Sequence, residues 1–381
     1  MRCDFEVIVV GGGPAGACSA LHLASAGVDV ALLERESLPR FKLCAGGLSN
    51  RAQRALGLDV SESVLNRISG LDLLGKHKTR LHVKSESGFG FIVDRAKFDA
   101  LIVSEAEAAG CSVRDGLAVE SVSEDGGCVR VNCSDGSTLR CKCLIGADGH
   151  RSVVRKSLGL HQLRRRGLTV MFELQPTSDD GFDRTSIALD FGVVDLGYLW
   201  LFPYGDMLSA GLLTTRERIE SPKQRVVSYL QEDESLSSAF SVRFLGGCVV
   251  PYWSGERDVG SECCILTGDA AGFIDPFTGE GINWAIRSGT VAAEAVVRVR
   301  EGQNGYRQLN QVYRRLLRRD VLSELRKACW FGRAAYRFKE PVFKIVSGIM
   351  RRTDLFGRIA GTDASYRSLF NNIARHVFGR R

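Results

Sequence analysis

A cluster of glycines near the start of the chain has the spacing that a phosphate-binding loop needs. Residues 11–16 contain the pattern G-x-G-x-x-G, with a Pro-Ala pair before the last glycine. In such a loop Gly11 permits a tight turn, Gly13 lets the backbone approach a pyrophosphate, and Gly16 lets a helix pack closely on a strand. The helix that begins inside the loop points its free N–H groups at the phosphate. These residues predict a dinucleotide-binding site.

The segments on either side of the loop fit this prediction. Phe5–Val10 is a short apolar run typical of a buried parallel strand, Ala17–Ala26 is rich in helix formers, and Val28–Leu33 reads as a second strand. Glu34 ends that strand 18 residues after Gly16, where a carboxylate accepts hydrogen bonds from ribose hydroxyls and disfavours a 2′-phosphate. The alternative is an ordinary strand–turn–helix without a ligand.

Two later segments favour FAD over NAD. Residues 146–149 end a buried strand with a turn and the carboxylate of Asp148, followed by Gly149. Residues 268–272 repeat this design around Asp269, whose carboxylate could accept from a ribityl hydroxyl. Either aspartate alone could be a turn or helix-capping residue. In this order and together with the glycine loop, they predict FAD.

The same segments resemble the flavoproteins built on the para-hydroxybenzoate hydroxylase fold. Within that group, residues 42–47, Lys-Leu-Cys-Ala-Gly-Gly, and the Y-x-W-x-F-P run at 198–203 are similar to the geranylgeranyl reductase family. The resemblance covers about residues 1–300. It implies FAD-dependent saturation of isoprenoid double bonds in lipids, chlorophyll precursors or quinone side chains.

The resemblance also implies roles for Cys44 and Arg95. Reduction of an alkene by reduced flavin requires a hydride and a proton on the neighbouring carbon, and Cys44 is the candidate proton donor. An inert packing thiol is the alternative. Arg95 resembles a family arginine that contacts the cofactor, and a surface ion pair with Asp94 or Asp99 is its alternative.

A second glycine-rich loop, at 276–283, is expected to offer backbone N–H groups to the flavin. Gly279 and Gly281 are the expected positions of close approach, and Glu280 is expected only to cap the following helix. The complete predicted cofactor site consists of Gly11, Gly13, Pro14, Ala15, Gly16, Glu34, Arg35, Cys44, Ala45, Gly46, Arg95, Asp148, Gly149, Asp269, Gly279, Gly281 and Ile282.

Three aromatic residues are predicted to bind the substrate. Tyr198, Trp200 and Phe202 alternate along a strand, so their rings share one face and could line an apolar tunnel for a prenyl chain. Ordinary core packing is the alternative. Flavin halogenases carry a related W-x-W-x-I-P run, but Tyr198 and Phe202 depart from it, which weakens the halogenase interpretation.

Composition excludes several other classes of protein. The chain has 381 residues, 44% of them hydrophobic, and no apolar run long enough for a membrane-spanning helix. The apolar stretch near the start has neither the basic flank nor the cleavage site of a signal peptide, so we expect a cytoplasmic protein. The twelve cysteines and six histidines lack the spacing of a zinc site, so no metal is predicted. The thiols are expected to stay reduced.

The positive charge is concentrated in the C-terminal quarter. Residues 297–381 carry 20 Lys and Arg against 6 Asp and Glu, whereas the rest of the chain is net acidic. A basic helical region of this kind could hold the protein on an anionic membrane, and a solvated helical face is the alternative. No nucleic-acid-binding module accompanies it, so nucleic acid is not an expected partner.

The predicted fold is α/β: a Rossmann-like FAD-binding domain with an inserted antiparallel substrate sheet and a helical C-terminal region. The expected boundaries are 1–70, 94–165 and 256–300 for the FAD domain, 71–93 and 166–255 for the substrate sheet, and 301–381 for the helical region. The predicted enzyme is a monomer. The sequence has no second G-x-G-x-x-G and no cysteine spacing for an iron–sulfur cluster, so NADPH, ferredoxin and a reductase partner all stay open as electron donors. A flavin monooxygenase or halogenase, and a non-catalytic flavoprotein, remain alternatives.

Overall fold

The structure is a computed structural model, and it describes residues 3–75, 80–160, 166–177, 182–216, 218–255, 258–302, 305–337 and Tyr366. The predictions for residues 338–365 and 367–381 therefore lie outside the described residues. The strands of the described part are β1 Phe5–Val10, β2 Val30–Leu33, β3 Gly47–Ser49, β4 Val64–Ile68, β5 Gly70–Leu74, β6 Arg80–Lys84, β7 Gly90–Val93, β8 Ser112–Arg114, β9 Val119–Asp125, β10 Cys128–Cys133, β11 Thr138–Gly146, β12 Gly167–Pro176, β13 Ser186–Asp190, β14 Gly197–Tyr204, β15 Met207–Thr214, β16 Phe240–Val250 and β17 Cys264–Leu266.

The α-helices of the described part lie between and after these strands in the chain. They are α1 Pro14–Ser25, α2 Asn50–Leu56, α3 Arg95–Ala108, α4 Val153–Ser157, α5 Pro222–Glu232, α6 Glu234–Ala239, α7 Ile282–Glu301, α8 Leu309–Leu317 and α9 Ser323–Arg337. A π-helical turn, Arg318–Leu322, joins α8 to α9.

The first sheet is the parallel sheet that the apolar runs predict. Its order is β8-β2-β1-β11-β10-β9, with β17 paired to the carboxyl half of β11. The pairs β8–β2, β2–β1, β1–β11 and β11–β17 are parallel, whereas β9 and β10 add an antiparallel edge. Since ligands of open parallel sheets bind beyond the carboxyl ends of the strands, the loops after β1, β2, β11 and β17 must form the site.

The second sheet has the order β16-β12-β15-β14-β13-β5-β6 and is antiparallel except for the β13–β5 pair. A third, small sheet consists of β3, β7 and β4. The strands expected between about residues 70 and 93 are therefore divided, because β5 and β6 extend the second sheet and β7 lies in the small one. The predicted α/β fold class, with a nucleotide-binding sheet and a second, largely antiparallel sheet, is confirmed.

The largest core lies between the first sheet and its helices. Strand β1 contributes Val7, Ile8 and Val9, all fully buried. Small residues on α1 let α7 approach closely: a Cβ atom on Gly289 of α7 would lie 2.2 Å from the carbonyl oxygen of Ala15. The hydroxyl of Ser19 donates to the Gly289 carbonyl at 3.0 Å across this contact. The helix that begins at the glycine loop is therefore fixed from behind by α7.

In the described part of the chain, no helix combines the length and the hydropathy needed to cross a bilayer.

Candidate active site

One cavity of about 760 Å³, between the first and second sheets, collects most of the predicted site residues. Two predicted residues, Gly16 and Gly46, do not line it. The predicted residues that line it are Gly11, Gly13, Pro14, Ala15, Glu34, Arg35, Cys44, Ala45, Arg95, Asp148, Gly149, Tyr198, Trp200, Phe202, Asp269, Gly279, Gly281 and Ile282.

The glycine loop combines a tight packing position with an open one. A Cβ atom on Gly16 would lie 1.9 Å from the carbonyl oxygen of Gly11, so only glycine allows α1 to start this close to β1. At Gly13, the residue before α1, the nearest atom to such a Cβ would be Nη2 of Arg40 at 3.7 Å. The loop therefore leaves free space beside Gly13, at the positive end of α1, for an anionic ligand.

A buried network of charges extends from Glu34 at the end of β2. The Glu34 carboxylate accepts from the backbone N–H of Gly12 at 2.6 Å and lies 3.6 Å from Nε of Arg40. Arg40 also pairs with Asp99 at 3.1 Å, and Arg95 binds the same carboxylate through two contacts of 2.8 and 2.9 Å. Arg95 therefore does pair with Asp99, as its alternative role requires, but the pair does not lie on the surface. The pair is buried, because Asp99 on α3 points inward.

Cys44 lies in the loop before β3, partly buried at the edge of the cavity. Its sulfur accepts from the backbone N–H of Gly46 at 3.4 Å, and the Arg95 guanidinium interacts with the thiol. The residue that shapes this turn is Gly46, whose φ is +76° and whose Cβ atom would lie 2.5 Å from the Val93 carbonyl oxygen. Gly46 thus positions Cys44 without itself lining the cavity.

Asp148 both caps a helix and faces the cavity. Its Oδ2 accepts from the N–H groups of Val153 and Val154 at 2.6 and 3.1 Å, which fixes the start of α4. Burial raises the pKa of this carboxyl group above its ordinary value. Its Oδ1 is buried and has no hydrogen-bond partner among the described residues. A ligand hydroxyl in the cavity would satisfy this oxygen.

The 275–281 loop reaches the cavity with Gly279 and Gly281, and it differs from the prediction at Glu280. Gly279 has a φ of +71°, a backbone conformation that favours glycine, and a Cβ atom there would lie 2.3 Å from the side chain of Leu213 on β15. At Gly281 the nearest atom to such a Cβ would be 3.7 Å away, which leaves room for a ligand. Glu280 does not cap α7: it accepts from Ser49 at 2.6 Å and pairs with Arg51.

The aromatic row of β14 faces the cavity, as the alternation predicts. Tyr198 and Trp200 are buried and Phe202 is partly buried, whereas Leu199 and Leu201 face the opposite core. Trp200 lies over Gly211 of β15, where a Cβ atom would be 2.2 Å from the indole ring. The indole N–H donates to the hydroxyl of Ser209 at 3.2 Å. The row therefore forms a fixed aromatic wall.

Sequence reasoning missed Arg40, which lines this cavity, and Arg51 and Asp275, which hold residues of the 275–281 loop. Arg40 lines the cavity and connects Glu34 to Asp99, which is 59 positions away in the chain. Arg51 neutralises Glu280 and stacks on Trp284 at 5.2 Å. A buried arginine without a partner is costly, so Arg40 and Arg51 each need a carboxylate nearby. No local sequence pattern indicates which carboxylate, because the partners are far apart in the chain.

Comparison with known proteins assigns this chain to a family. Residues 4–186 match the model of an FAD binding domain. A menaquinone reductase from Mycobacterium tuberculosis is 31% identical over 76% of this chain and 76% of its own length. A geranylgeranyl diphosphate reductase from Rhodobacter capsulatus is 30% identical over 77% of this chain and 75% of its own length. The chain belongs to the geranylgeranyl reductase family.

The fold agrees with this assignment. A geranylgeranyl bacteriochlorophyll reductase-like protein from Thermoplasma acidophilum superimposes with a TM-score of 0.81 at 22% identity, covering 97% of this chain and 96% of its own. As a member of the geranylgeranyl reductase family, the protein is an FAD-dependent oxidoreductase, and the predicted cofactor is confirmed.

The residues of the cavity fit FAD. The open position at Gly13 suits a pyrophosphate, Glu34 suits the adenosine ribose, and the unpartnered oxygen of Asp148 suits a hydroxyl donor. Bound FAD supplies hydride chemistry to this reductase-family site. Which atoms of FAD each residue contacts remains a prediction.

Proposed function

We propose that this protein saturates C=C bonds of a polyprenyl chain in a lipid, quinone or pigment precursor. The observation that carries the proposal is the aromatic wall of Tyr198, Trp200 and Phe202, which lines the same cavity as the glycine loop and Cys44. Apolar and aromatic side chains such as Met171, Leu189 and Phe91 complete this part of the cavity. A prenyl chain buries well on such a surface, and an alkene carries no group that would need polar recognition.

The chain's own residues then orient the alkene and supply its proton. The aromatic wall holds the prenyl chain and excludes water, while the Cys44 thiol is the proton donor to the alkene. The backbone N–H of Gly46 donates to that sulfur, and Arg95, fixed by two hydrogen bonds to Asp99, lines the same cavity. Glu280 is not assigned this role, because Arg51 and Ser49 already occupy its two carboxylate oxygens.

Incubation with a prenyl lipid tests the proposal directly. With chemically reduced FAD and no oxygen, we expect products heavier by two hydrogens per reduced bond, detected by lipid mass spectrometry. A boiled sample and the substrate with a saturated chain serve as controls. Products formed only with oxygen, hydroxylated or halogenated, would support a monooxygenase or halogenase instead. FAD binding without reoxidation by any prenyl lipid would indicate a non-catalytic flavoprotein.

A second measurement identifies the electron donor. We propose that the donor is NADPH or ferredoxin; the sequence has no second G-x-G-x-x-G loop to select between them, so experiment must. Anaerobic reduction of the bound flavin by each donor, followed by absorbance, distinguishes them, and reduction by neither would reject both.

We further propose that the basic helices α8 and α9 contact an anionic membrane surface. Trp330 is 65% exposed and lies between the exposed Arg326 and Arg333 on one face of α9. Tryptophan favours the interface of a bilayer, and arginines bind anionic headgroups.

We expect co-sedimentation with phosphatidylserine vesicles at low salt, weakened by high salt and by Trp330→Ser with Arg333→Gln. Arg225→Gln, at an exposed arginine of α5, is the matched control and should bind as wild type. Equal binding by both variants would contradict this role of α9.

A further inference from the structure

Three tyrosines from distant parts of the chain bind the 275–281 loop. The Tyr198 hydroxyl donates to the Thr278 carbonyl at 2.5 Å, and the Tyr336 hydroxyl donates to the Phe277 carbonyl at 2.8 Å. The third, Tyr366, donates to Oδ2 of Asp275, also at 2.8 Å. These donors come from β14, from α9 and from the segment beyond α9. The loop is thus held by the second sheet on one side and by the C-terminal region on the other.

Asp275 is the anchor of the loop. It is 1% exposed, and burial raises the pKa of its carboxyl group. Its Oδ1 accepts from the backbone N–H groups of Phe277 and Thr278 at 2.8 and 3.0 Å, which closes the turn. A buried carboxylate is costly unless both oxygens are satisfied, so the Tyr366 hydroxyl completes a set that the loop cannot provide alone.

Aromatic contacts connect the 275–281 loop to the same elements as the hydrogen bonds do. The ring of Phe277 contacts Phe331 of α9 at 4.9 Å between centroids and Tyr336 at 5.8 Å. Phe331 in turn contacts Tyr366 at 6.2 Å. On the other side Phe277 stacks on Phe191, 6.4 Å away, which contacts Tyr198. The loop therefore has little freedom to move independently of the C-terminal region.

We infer that Tyr336 and Tyr366 are positioning residues for the FAD site. They act through Phe277 and Asp275 on the backbone of Gly279 to Ile282, which lines the cavity and starts α7. The positive end of α7 faces the cavity, and its position sets how strongly it stabilises negative charge there. The C-terminal region is thus part of the cofactor site although neither tyrosine lines the cavity. This inference concerns the bound FAD and does not depend on which substrate is reduced.

The test compares Tyr336→Phe, Tyr366→Phe and the double variant with Tyr306→Phe. The matched control, Tyr306, is partly buried and donates to the carboxylate of Glu6 on β1, a residue outside both the 275–281 loop and the cavity lining. Each Phe substitution removes one hydrogen bond, so all four variants should lose some thermal stability. Only the loop variants should bind FAD more weakly, by about tenfold for the double variant. They should also lower the midpoint potential of the bound flavin, because the helix end that favours its anionic form is displaced.

Two outcomes would overturn the inference. The first is a double variant whose dissociation constant for FAD and flavin potential equal those of Tyr306→Phe. The second is an equal loss of affinity in Tyr306→Phe, which would show general destabilisation. Should the double variant prove too unstable, the same two measurements on Tyr366→Phe decide the question. A result against this inference leaves prenyl reduction untouched, since product formation is measured separately.

Discussion

Alanine at Gly16 is expected to unfold the start of the FAD site, whereas alanine at Gly13 should leave the fold intact and weaken cofactor binding. The added methyl at residue 16 would overlap the Gly11 carbonyl oxygen, 1.9 Å away, and neither backbone segment can move without losing its packing. Overpacking of this kind costs about 3 kcal/mol or more. At residue 13 the nearest protein atom is 3.7 Å away, so the apoprotein tolerates the methyl and the pyrophosphate does not.

Thermal denaturation of the apoproteins, followed by titration with FAD, separates the two effects. The Gly16→Ala apoprotein should melt well below wild type. The Gly13→Ala apoprotein should melt near wild type but bind FAD about 10- to 100-fold more weakly, a loss of roughly 1.4–2.7 kcal/mol. Normal FAD affinity in Gly13→Ala would contradict the placement of the pyrophosphate beside this residue.

Replacing Cys44 by alanine should lower the rate of alkene reduction by about 10²- to 10⁴-fold, the usual contribution of a positioned acid. Reduction of the bound flavin by an electron donor should change little, because it requires no proton from this thiol. Single-turnover measurements, in which the reduced enzyme is mixed with prenyl substrate without oxygen, report the affected step alone.

A second thiol in the same cavity provides the control for Cys44. Cys248 on β16 also lines the cavity and is partly buried, but it lies on the second sheet and not in the 42–47 segment. Cys248→Ala should retain most of the turnover. If Cys44→Ala turned over as fast as Cys248→Ala, Cys44 would be a packing residue and the proton would come from another group.

Local patterns were sufficient for those parts of the fold that depend on neighbours in sequence. The buried run before Gly11 and the alternation from Tyr198 to Phe202 each predicted the strand that the structure contains. Strand β16 lies inside the expected sheet region, but its own pattern does not mark it, because its exposed side chains and the pair Gly246-Gly247 lack the alternation of a half-buried strand. Strand β5 was expected in an antiparallel arrangement, but only the tertiary fold determines its parallel pairing with β13.

The same distinction holds for the site. Spacing identified Gly16 and Glu34, since a turn and a strand end are local features. It could not show that Asp99 joins Arg40 to Arg95, or that Tyr366 reaches Asp275, because these partners are brought together only by folding. Gly279 lines the cavity, but spacing could not show that it also packs against Leu213 of β15.

The packing of α7 against α1 also bears on how the chain acquires its cofactor during synthesis. The glycine loop leaves the ribosome among the first residues, but β17 and α7, which complete its sheet and support α1 from behind, follow more than 240 residues later. Contacts so distant in sequence form late, since the intervening loop must first be closed. A nascent chain that lacks α7 would expose the small-residue face of α1 to solvent and to chaperones. We therefore expect FAD to be captured only after translation is nearly complete, and shortened chains that end before α7 to be degraded without ever binding it.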